Sequence, residues 1–209
     1  VILQDLAKAY AVQVDKQVLY GSNSAGQLNG LVNVANNNAF TTTQPAPASA
    51  TAGSSLYYAV SKAAAAVQAA VFMPADAIVM HPNRWAWILG STDANARPFV
   101  IPDGNNYNPL GVTGAQVAQG LVGHFGSYPV YTDPNISLTA NSATNQDEIY
   151  VLRRAELEFW ETAPSAASFD ATYADNLSIL FRIHGYCAFI PNRYAGAVQS
   201  VRGTGLIAP

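Results

Sequence analysis

The sequence predicts a mixed α+β fold, and three patterns along the chain indicate it. An apolar stripe with a helical period opens the chain, between residues 3 and 18. A helix, a short buried strand and a second helix follow one another between residues 56 and 90. Two segments of alternating polarity, 148–161 and 177–190, are typical of long strands.

The first predicted element is a helix that ends at Gly21. Its apolar residues recur three and four positions apart, which places them on one side of a helix. Glycine directly after such a run is a common C-terminal cap. The stripe consists of Leu3, Leu6, Ala7, Tyr10, Val14 and Val18.

A long loop is predicted next, from Gly21 to Ser55, because Asn, Gly, Thr and Pro are frequent in this segment. Loops of this length are uncommon unless they are functional or covered by a partner. No Asp, Glu, Lys or Arg occurs between Gln17 and Ser61, so cover by a partner is the favoured explanation.

A second helix is predicted after a serine cap at position 54 or 55, and Pro74 ends it. Its alanine-rich apolar face suits close packing on a sheet. That face consists of Leu56, Val60, Ala63, Ala64, Val67 and Val71.

A short buried strand is predicted at residues 77–80, directly before a third helix. Pro82 suits the first turn of that helix, which includes Trp85 and Leu89. Gly90 closes it.

Residues 91–119 are rich in turn formers, with Pro-Asp-Gly at 102–104 as the sharpest signal. Two short strands follow, Leu121–Phe125 and Pro129–Thr132, on either side of Gly126 and Ser127. This stretch is therefore predicted to be a loop followed by two strands.

The segments 148–161 and 177–190 are predicted to pair as long antiparallel strands with an irregular connection. If their apolar faces align, opposite charges meet on the polar face. Such pairs contribute about 0.2–1 kcal/mol each to strand pairing, unless they contact a neighbouring subunit instead. The charged residues concerned are Glu156, Glu158, Glu161, Arg182 and His184.

Charge is scarce in this sequence. Charged residues make up 11% of the chain, whereas an ordinary soluble domain has about a quarter. A surface so poor in charge gives little protection against self-association, and cover by neighbouring subunits would explain it. The same scarcity leaves few acids, bases or metal ligands, so the composition favours a building block over an enzyme.

Nucleic-acid and membrane binding are also disfavoured. The net charge is −3 and no basic cluster is longer than Arg153-Arg154, so no specific nucleic-acid site is expected. The apolar stretch at 63–73 is too short to cross a bilayer. Cys187 is the only cysteine, so no intrachain disulfide is possible.

The segment Gly21–Gly26 contains Ser24, but it is predicted to be a turn and not a catalytic loop. Ser22 occupies a position where a nucleophile elbow needs glycine. A phosphate-binding loop needs a lysine, and the segment has none.

Cys187 and His184 lie three residues apart in a predicted strand, so they point to opposite faces and do not form a catalytic pair. Cys187 is predicted to be a small core residue. The three histidines, His81, His124 and His184, lack the close spacing of metal ligands. His81 is predicted to be a hydrogen-bonded structural residue. No catalytic residue, cofactor or metal is assigned.

Several motifs occur in a fixed order over nearly the whole chain. They are Asp5-Leu-Ala-Lys-Ala-Tyr10 with Gly26-Gln-Leu-Asn-Gly30, Ala77-Ile-Val-Met-His-Pro-Asn-Arg-Trp85, Gly126-Ser-Tyr-Pro-Val-Tyr-Thr-Asp133, Asp147-Glu-Ile-Tyr-Val-Leu-Arg153, and Gly185-Tyr-Cys-Ala-Phe189 with Gly203-Thr-Gly-Leu206. In this order they resemble the major capsid proteins of tailed phages with the Hong Kong 97 type of fold. The resemblance implies a spine helix at the start of the chain.

The resemblance also implies two domains. The peripheral domain would comprise residues 1–20 and 141–185, and the axial domain residues 21–140 and 186–209. In that family, loops of the axial domain crowd around the fivefold and sixfold centres of the shell. The long uncharged loops would then have neighbours to pack against.

Family members carry an N-terminal arm and an extended loop ahead of the point where this sequence begins, and these parts lock neighbouring subunits together. We therefore expect the 209-residue chain alone to be monomeric or to form small oligomers. Some relatives join subunits through a lysine–asparagine isopeptide bond assisted by a glutamate. Asn176 lies near the place of that asparagine, but residues 181–183 include no glutamate, so no cross-link is assigned.

The residues and the resemblance together predict a non-enzymatic coat protein that self-assembles into the icosahedral phage head around the DNA genome. Its partners would be identical subunits in pentamers and hexamers, and it would be found in the virion after assembly in the host cytoplasm. The alternatives are an encapsulin, which forms a shell of the same fold around cargo enzymes, an extracellular binding module, and a hydrolase.

Overall fold

The computed structural model describes residues 2–40, 55–91, 121–140, 145–173, 176, 178–191 and 193–209. Within them, the helices are α1 (Ile2–Tyr20), α2 (Leu31–Val34), α3 (Leu56–Val71) and α4 (Pro82–Gly90). The strands are β1 (Asn36–Ala39), β2 (Ala77–Met80), β3 (Leu121–Phe125), β4 (Tyr128–Thr132), β5 (Gln146–Leu152), β6 (Glu158–Glu161), β7 (Ser165–Tyr173), β8 (Ser178–His184), β9 (Cys187–Ile190) and β10 (Val198–Ile207).

The chain divides into two compact units. The first, here called the ribbon unit, comprises residues 1–33 and 157–191. The second, the sheet unit, comprises residues 34–156 and 192–209. This division differs from the predicted domain boundaries at three segments, residues 21–33, 141–156 and 186–191.

The sheet unit is built on a six-stranded mixed sheet with the order β1-β10-β5-β2-β4-β3. Parallel pairs join β1 to β10 and β2 to β4, and the remaining neighbours are antiparallel. Chain neighbours are mostly not sheet neighbours, so the sheet depends on contacts between distant parts of the sequence.

Helix α3 covers one face of this sheet, and their contact forms the main hydrophobic core. Two alanines on the inner side of the helix, Ala63 and Ala64, are fully buried and allow the helix to approach the strands closely. The sheet contributes side chains from its central strands to the same cluster: Ile78, Met80, Val130, Ile149, Val151 and Val201.

The ends of α3 and α4 follow the predicted local signals. The side chain of Ser55 accepts a hydrogen bond from the Tyr58 amide at 3.1 Å, which is an N-terminal cap. Nδ1 of His81 accepts one from the Asn83 amide at 3.1 Å, and Pro82 begins α4. In α4, Trp85 and Ile88 are buried and Leu89 is exposed.

The ribbon unit combines α1 with two antiparallel pairs of strands. Strand β6 pairs with β9, and β7 pairs with β8. Helix α1 ends as predicted, because the amide of Gly21 donates to the Gln17 carbonyl at 2.8 Å. Leu19 is the buried residue of α1, whereas the other residues of the helix are half-buried or exposed, and Leu3 and Ala7 of the predicted stripe are among the exposed ones.

The predicted pair of long strands is right only at one end, where residues 158–161 pair antiparallel with residues 187–190. Residues 148–161 divide into β5, a 3₁₀ turn at Arg154–Glu156, and β6, which belong to different sheets. Residues 178–190 divide into β8 and β9 at Gly185. A Cβ atom at Gly185 would collide with the hydroxyl of Tyr10, so the backbone approaches α1 too closely for a larger residue.

The structure also tests the predicted loops and the two short strands next to them. The predicted loop 21–55 contains α2 and β1, so it was wrong for residues 31–39. The predicted connection between the long strands contains β7. Residues 92–119, which include the predicted Pro-Asp-Gly turn, lie outside the described residues. The two strands predicted on either side of Gly126 are confirmed as β3 and β4.

Candidate functional site

A buried ion pair fastens α4 to the sheet. Nε and Nη2 of Arg84 donate to the two carboxylate oxygens of Asp147 at 2.8 and 2.6 Å. The same Nη2 donates to the Ile207 carbonyl at 2.5 Å, and the guanidinium carbon lies 4.8 Å from the centre of the Trp87 ring. Both charged side chains are buried, at 3% and 0% exposure. The pair therefore joins α4, β5 and the C-terminal strand β10.

A second polar group lies between β5 and β10. Glu148 and Arg202 are direct partners in the antiparallel register, and their side chains approach to 3.9 Å. The hydroxyl of Tyr150 donates to Glu148 at 2.8 Å, and Tyr150 is fully buried. These contacts stabilise the centre of the sheet.

In the ribbon unit, Glu161 links α1 to β6. The hydroxyl of Tyr10 donates to Oε1 of Glu161 at 2.8 Å, and this bond, with desolvation and the negative charge, raises the pKa of Tyr10. Burial, and then the charge of Glu161, raises the pKa of Cys187. The thiol is therefore held in its protonated form, which is the opposite of what a nucleophilic cysteine needs.

The predicted relation between Cys187 and His184 is corrected by the structure. They do not share a strand, because β8 ends at His184 and β9 begins at Cys187. Cys187 is half-buried and is not a full core residue. His81 is a hydrogen-bonded structural residue, as predicted.

The predicted charge cluster is also corrected. Strand β8 pairs with β7, so the register partners of Arg182 and His184 are Ala167 and Ser165. The partners of Glu158 and Glu161 in the other pair are Ile190 and Cys187. Glu156 lies in the 3₁₀ turn, so none of the three glutamates is a register partner of Arg182 or His184.

The segment around Ser24 is a turn, as predicted. Asn23, Ala25 and Gly26 all have positive φ angles. The hydroxyls of Ser22 and Ser24 lie 2.8 Å apart, and Ser22 also donates to Oε1 of Gln27 at 2.9 Å. The serine hydroxyls are thus engaged with one another and with an amide.

Neither metal-binding clusters nor membrane-spanning helices occur in the described part of the chain. No three of its His, Cys, Asp or Glu residues are grouped so that they could hold a metal ion. None of its helices is long and apolar enough to cross a membrane.

Large apolar side chains are exposed on the ribbon unit. In β8, Ile179, Leu180 and Phe181 are all exposed, and consecutive residues of a strand point to opposite faces. Phe169 of the paired strand β7 is exposed as well. Two-stranded ribbons are only marginally stable by themselves, so exposed apolar side chains on this ribbon mark a candidate contact surface.

The sheet unit has an exposed apolar turn of its own. Phe72 and Met73 follow α3 directly, and the side chain of Phe72 is 90% exposed. The exposed pair Phe72 and Met73 was not predicted from the sequence, although two apolar residues at the end of a helix could have indicated it.

The ion pair of Arg84 and Asp147 was not predicted either. The arginine beside Trp85 in the predicted helix α4 was the one sequence feature that could have indicated a buried charge there.

The family model described as the phage capsid family matches residues 1–153. No curated protein sequence matches the chain. Among solved structures, one from Mycobacterium phage Bobi matches with a TM-score of 0.63 and 16% identity, over 97% of this chain and 65% of that one. One from Gordonia phage Cozz matches with a TM-score of 0.62 and 12% identity, over 96% and 61%.

A third structure, titled "Capsid of empty GTA particle computed with C5 symmetry", matches with a TM-score of 0.60 and 10% identity, over all of this chain and 65% of that one. The chain thus spans less than two thirds of the length of each of these structures. At such low identities the matches establish the fold alone.

The mixed sheet, the long helices and these matches define the α+β fold of phage capsid proteins of the Hong Kong 97 type, which confirms the resemblance seen in the sequence. Since the family model covers residues 1–153, the chain belongs to the phage capsid family. The proteins of this family are structural.

Proposed function

We propose that this chain is a non-enzymatic major capsid subunit, which assembles with identical copies into the icosahedral head that encloses a phage genome. The capsid family match over residues 1–153 carries this proposal. The exposed apolar side chains of the ribbon unit support it, because exposed apolar patches often mark surfaces that bind other proteins.

Within the subunit, we assign the ribbon unit to the peripheral domain and the sheet unit to the axial domain. The N-terminal helix α1 would be the spine helix. The boundaries are those of the two compact units, so the peripheral domain would comprise residues 1–33 and 157–191.

The partners in this function are other copies of the chain, arranged in pentamers and hexamers. Contacts between permanent subunits are large and apolar, and a standard specific contact already buries about 1,600 Å² in total.

A net charge of −3 gives no attraction for DNA, so enclosure of the genome would not depend on a specific nucleic-acid site. Assembly would take place in the host cytoplasm, and the chain would end in the virion.

Quantitative mass spectrometry of nuclease-treated particles tests this function directly. Particles are purified from a lysate of the phage that encodes the chain, and their proteins are counted relative to a tail protein. We expect this chain among the most abundant proteins of particles that contain protected DNA. Its absence from such particles would refute the proposal, and particles that contain a cargo enzyme in place of DNA would favour an encapsulin.

A further inference from the structure

Asn29 and Gly30 form the one Asn-Gly pair in the sequence. Such a pair is chemically labile, because glycine has no side chain to keep its backbone nitrogen away from the asparagine side chain. The Gly30 nitrogen loses its proton and attacks Cγ of Asn29, and the side-chain nitrogen takes up a proton and leaves as ammonia. Water then opens the resulting five-membered succinimide at either carbonyl, which gives aspartate or isoaspartate.

Packing explains why residue 30 is a glycine. A Cβ atom at this position would lie 2.5 Å from the Gly21 nitrogen and 2.8 Å from the carbonyl oxygen of Leu19. Both of these are backbone atoms, so no side-chain movement could make room for a larger residue. The fold therefore requires the residue that makes Asn29 labile.

The same close approach restrains the backbone on both sides of the reacting bond. Gly30 is buried, and its amide donates to the Gly21 carbonyl at 3.0 Å, so the proton that must leave is held in a hydrogen bond. Asn29 pairs with Ser22 in an antiparallel bridge. Ring closure needs rotation of the Asn29 backbone, and this bridge opposes it.

The side chain of Asn29 is restrained as well, by an asparagine of α2. Nδ2 of Asn33 donates to Oδ1 of Asn29 at 3.3 Å and to the Gly21 carbonyl at 2.6 Å. The Asn33 amide also donates to the Gly30 carbonyl at 3.1 Å. Asn33 therefore fastens both the side chain that would be attacked and the backbone that would attack it.

We propose that Asn29 is a modification site, which deamidates when the segment 21–33 opens and is protected while this segment is closed. The rate of the reaction then reports how often the segment opens. Either product adds a negative charge to a stretch, residues 18–60, that has no charged residue. Isoaspartate also adds one carbon to the backbone, so the reacted segment cannot restore the bridge between residues 22 and 29 in its original register.

Deamidation of the purified chain, folded in buffer and unfolded in guanidinium chloride at the same mildly alkaline pH and temperature, tests this inference. Peptide mass spectrometry follows the conversion of Asn29 from amide to acid. We expect the folded chain to react at least about tenfold more slowly than the unfolded chain, because the reaction proceeds from the open segment. Equal rates, or no reaction at Asn29 in the unfolded chain, would overturn the inference.

Asn33→Ala separates the local restraint from the stability of the whole fold. It should raise the rate at Asn29 in the folded chain about fivefold or more, since the side-chain hydrogen bonds are lost, and leave the rate in the unfolded chain unchanged. Asn38→Ala is the matched control, because the Asn38 side chain donates to Gln199 in the sheet unit, and it should keep the wild-type rate.

A folded Asn33 variant with the wild-type rate would overturn the inference. Should this variant fail to fold, amide hydrogen exchange of the wild-type chain decides the question instead. The Gly30 amide should then be protected, and exchange at the rate of an unfolded peptide would overturn the inference.

Discussion

Arg84 and Asp147 form a two-pronged ion pair inside the sheet unit, although 63 residues separate them in the sequence. The pair is surrounded by protein, and its third hydrogen bond reaches the carbonyl of Ile207. Breaking a buried pair of this kind leaves one charge without its partner in a medium of low polarity, which is far more costly than losing an exposed pair.

Replacing one member of this pair should therefore destabilise the fold. For Asp147→Asn we expect a loss of about 3–5 kcal/mol in the free energy of unfolding, because Arg84 stays buried without its counter-charge. Urea unfolding followed by circular dichroism measures this loss. Asp76→Asn is the control, since Asp76 forms an exposed pair with Arg154 at 3.7 Å and should lose less than about 1 kcal/mol. Equal midpoints for the two variants would contradict the prediction.

Gly196 is expected to tolerate no side chain. Its φ is +89°, and a Cβ atom would approach the Cβ of Ala70 to 2.7 Å, so Gly196→Ala combines backbone strain with a steric clash. We expect a loss of about 1–3 kcal/mol in thermal or urea unfolding. The matched control is Gly90→Ala, where no atom lies within 4 Å of the new Cβ. A Gly196 variant as stable as the Gly90 variant would show that the close approach is not maintained in solution.

The cap of α3 can be tested through its serine. In Ser55→Ala the Tyr58 amide loses its side-chain acceptor, and we expect a loss of about 1 kcal/mol. Ser61→Ala, on the exposed side of the same helix, should change stability by less than about 0.5 kcal/mol, because alanine is a good helix former. Differential scanning calorimetry of both variants compares them directly, and equal melting temperatures would contradict a capping role.

The bond between Tyr10 and Glu161 predicts a particular dependence of stability on pH. The pKa of Tyr10 is raised above its ordinary value of 10.0, first by this hydrogen bond and then by desolvation and the charge of Glu161. A group whose pKa is raised in the folded state stabilises it fully below the unfolded pKa, and this contribution disappears as the pH rises through the folded pKa. The stability of the ribbon unit should therefore decline above about pH 10.

Unfolding by urea at a series of alkaline pH values tests this dependence. Tyr10→Phe should remove part of the decline, because the variant has no hydroxyl to ionise at this position. Tyr186→Phe is the control, since the side chain of Tyr186 is 76% exposed. It should keep the wild-type profile, and a Tyr10 variant with that same profile would refute the coupling.

The local elements of this protein were predictable because their signals lie within a few residues of one another. The apolar period and Gly21 define α1, Ser55 and Pro74 enclose α3, and Pro82 begins α4. The short strands β2, β3 and β4 are apolar runs next to turn residues. Motif order along the chain also indicated the capsid family, although no single motif is specific.

Pairing between distant segments was not predictable in the same way. Alternation of polarity made 148–161 look like one strand, but β5 is buried on both faces and β6 belongs to another sheet. Strands β1 and β10 lie far apart in the chain and become strands by pairing with each other. Asn-rich β1, in particular, has no strand signal of its own.

By itself, then, the sequence determined the caps, the helical periods, the scarcity of charge and the order of motifs, because each of these depends on neighbouring residues or on composition. Tertiary structure decided which strands pair, which charges meet in the interior, and that Phe72 stands exposed on a left-handed turn. These features arise when segments tens of residues apart come together, and burial then outweighs the local preferences of each segment.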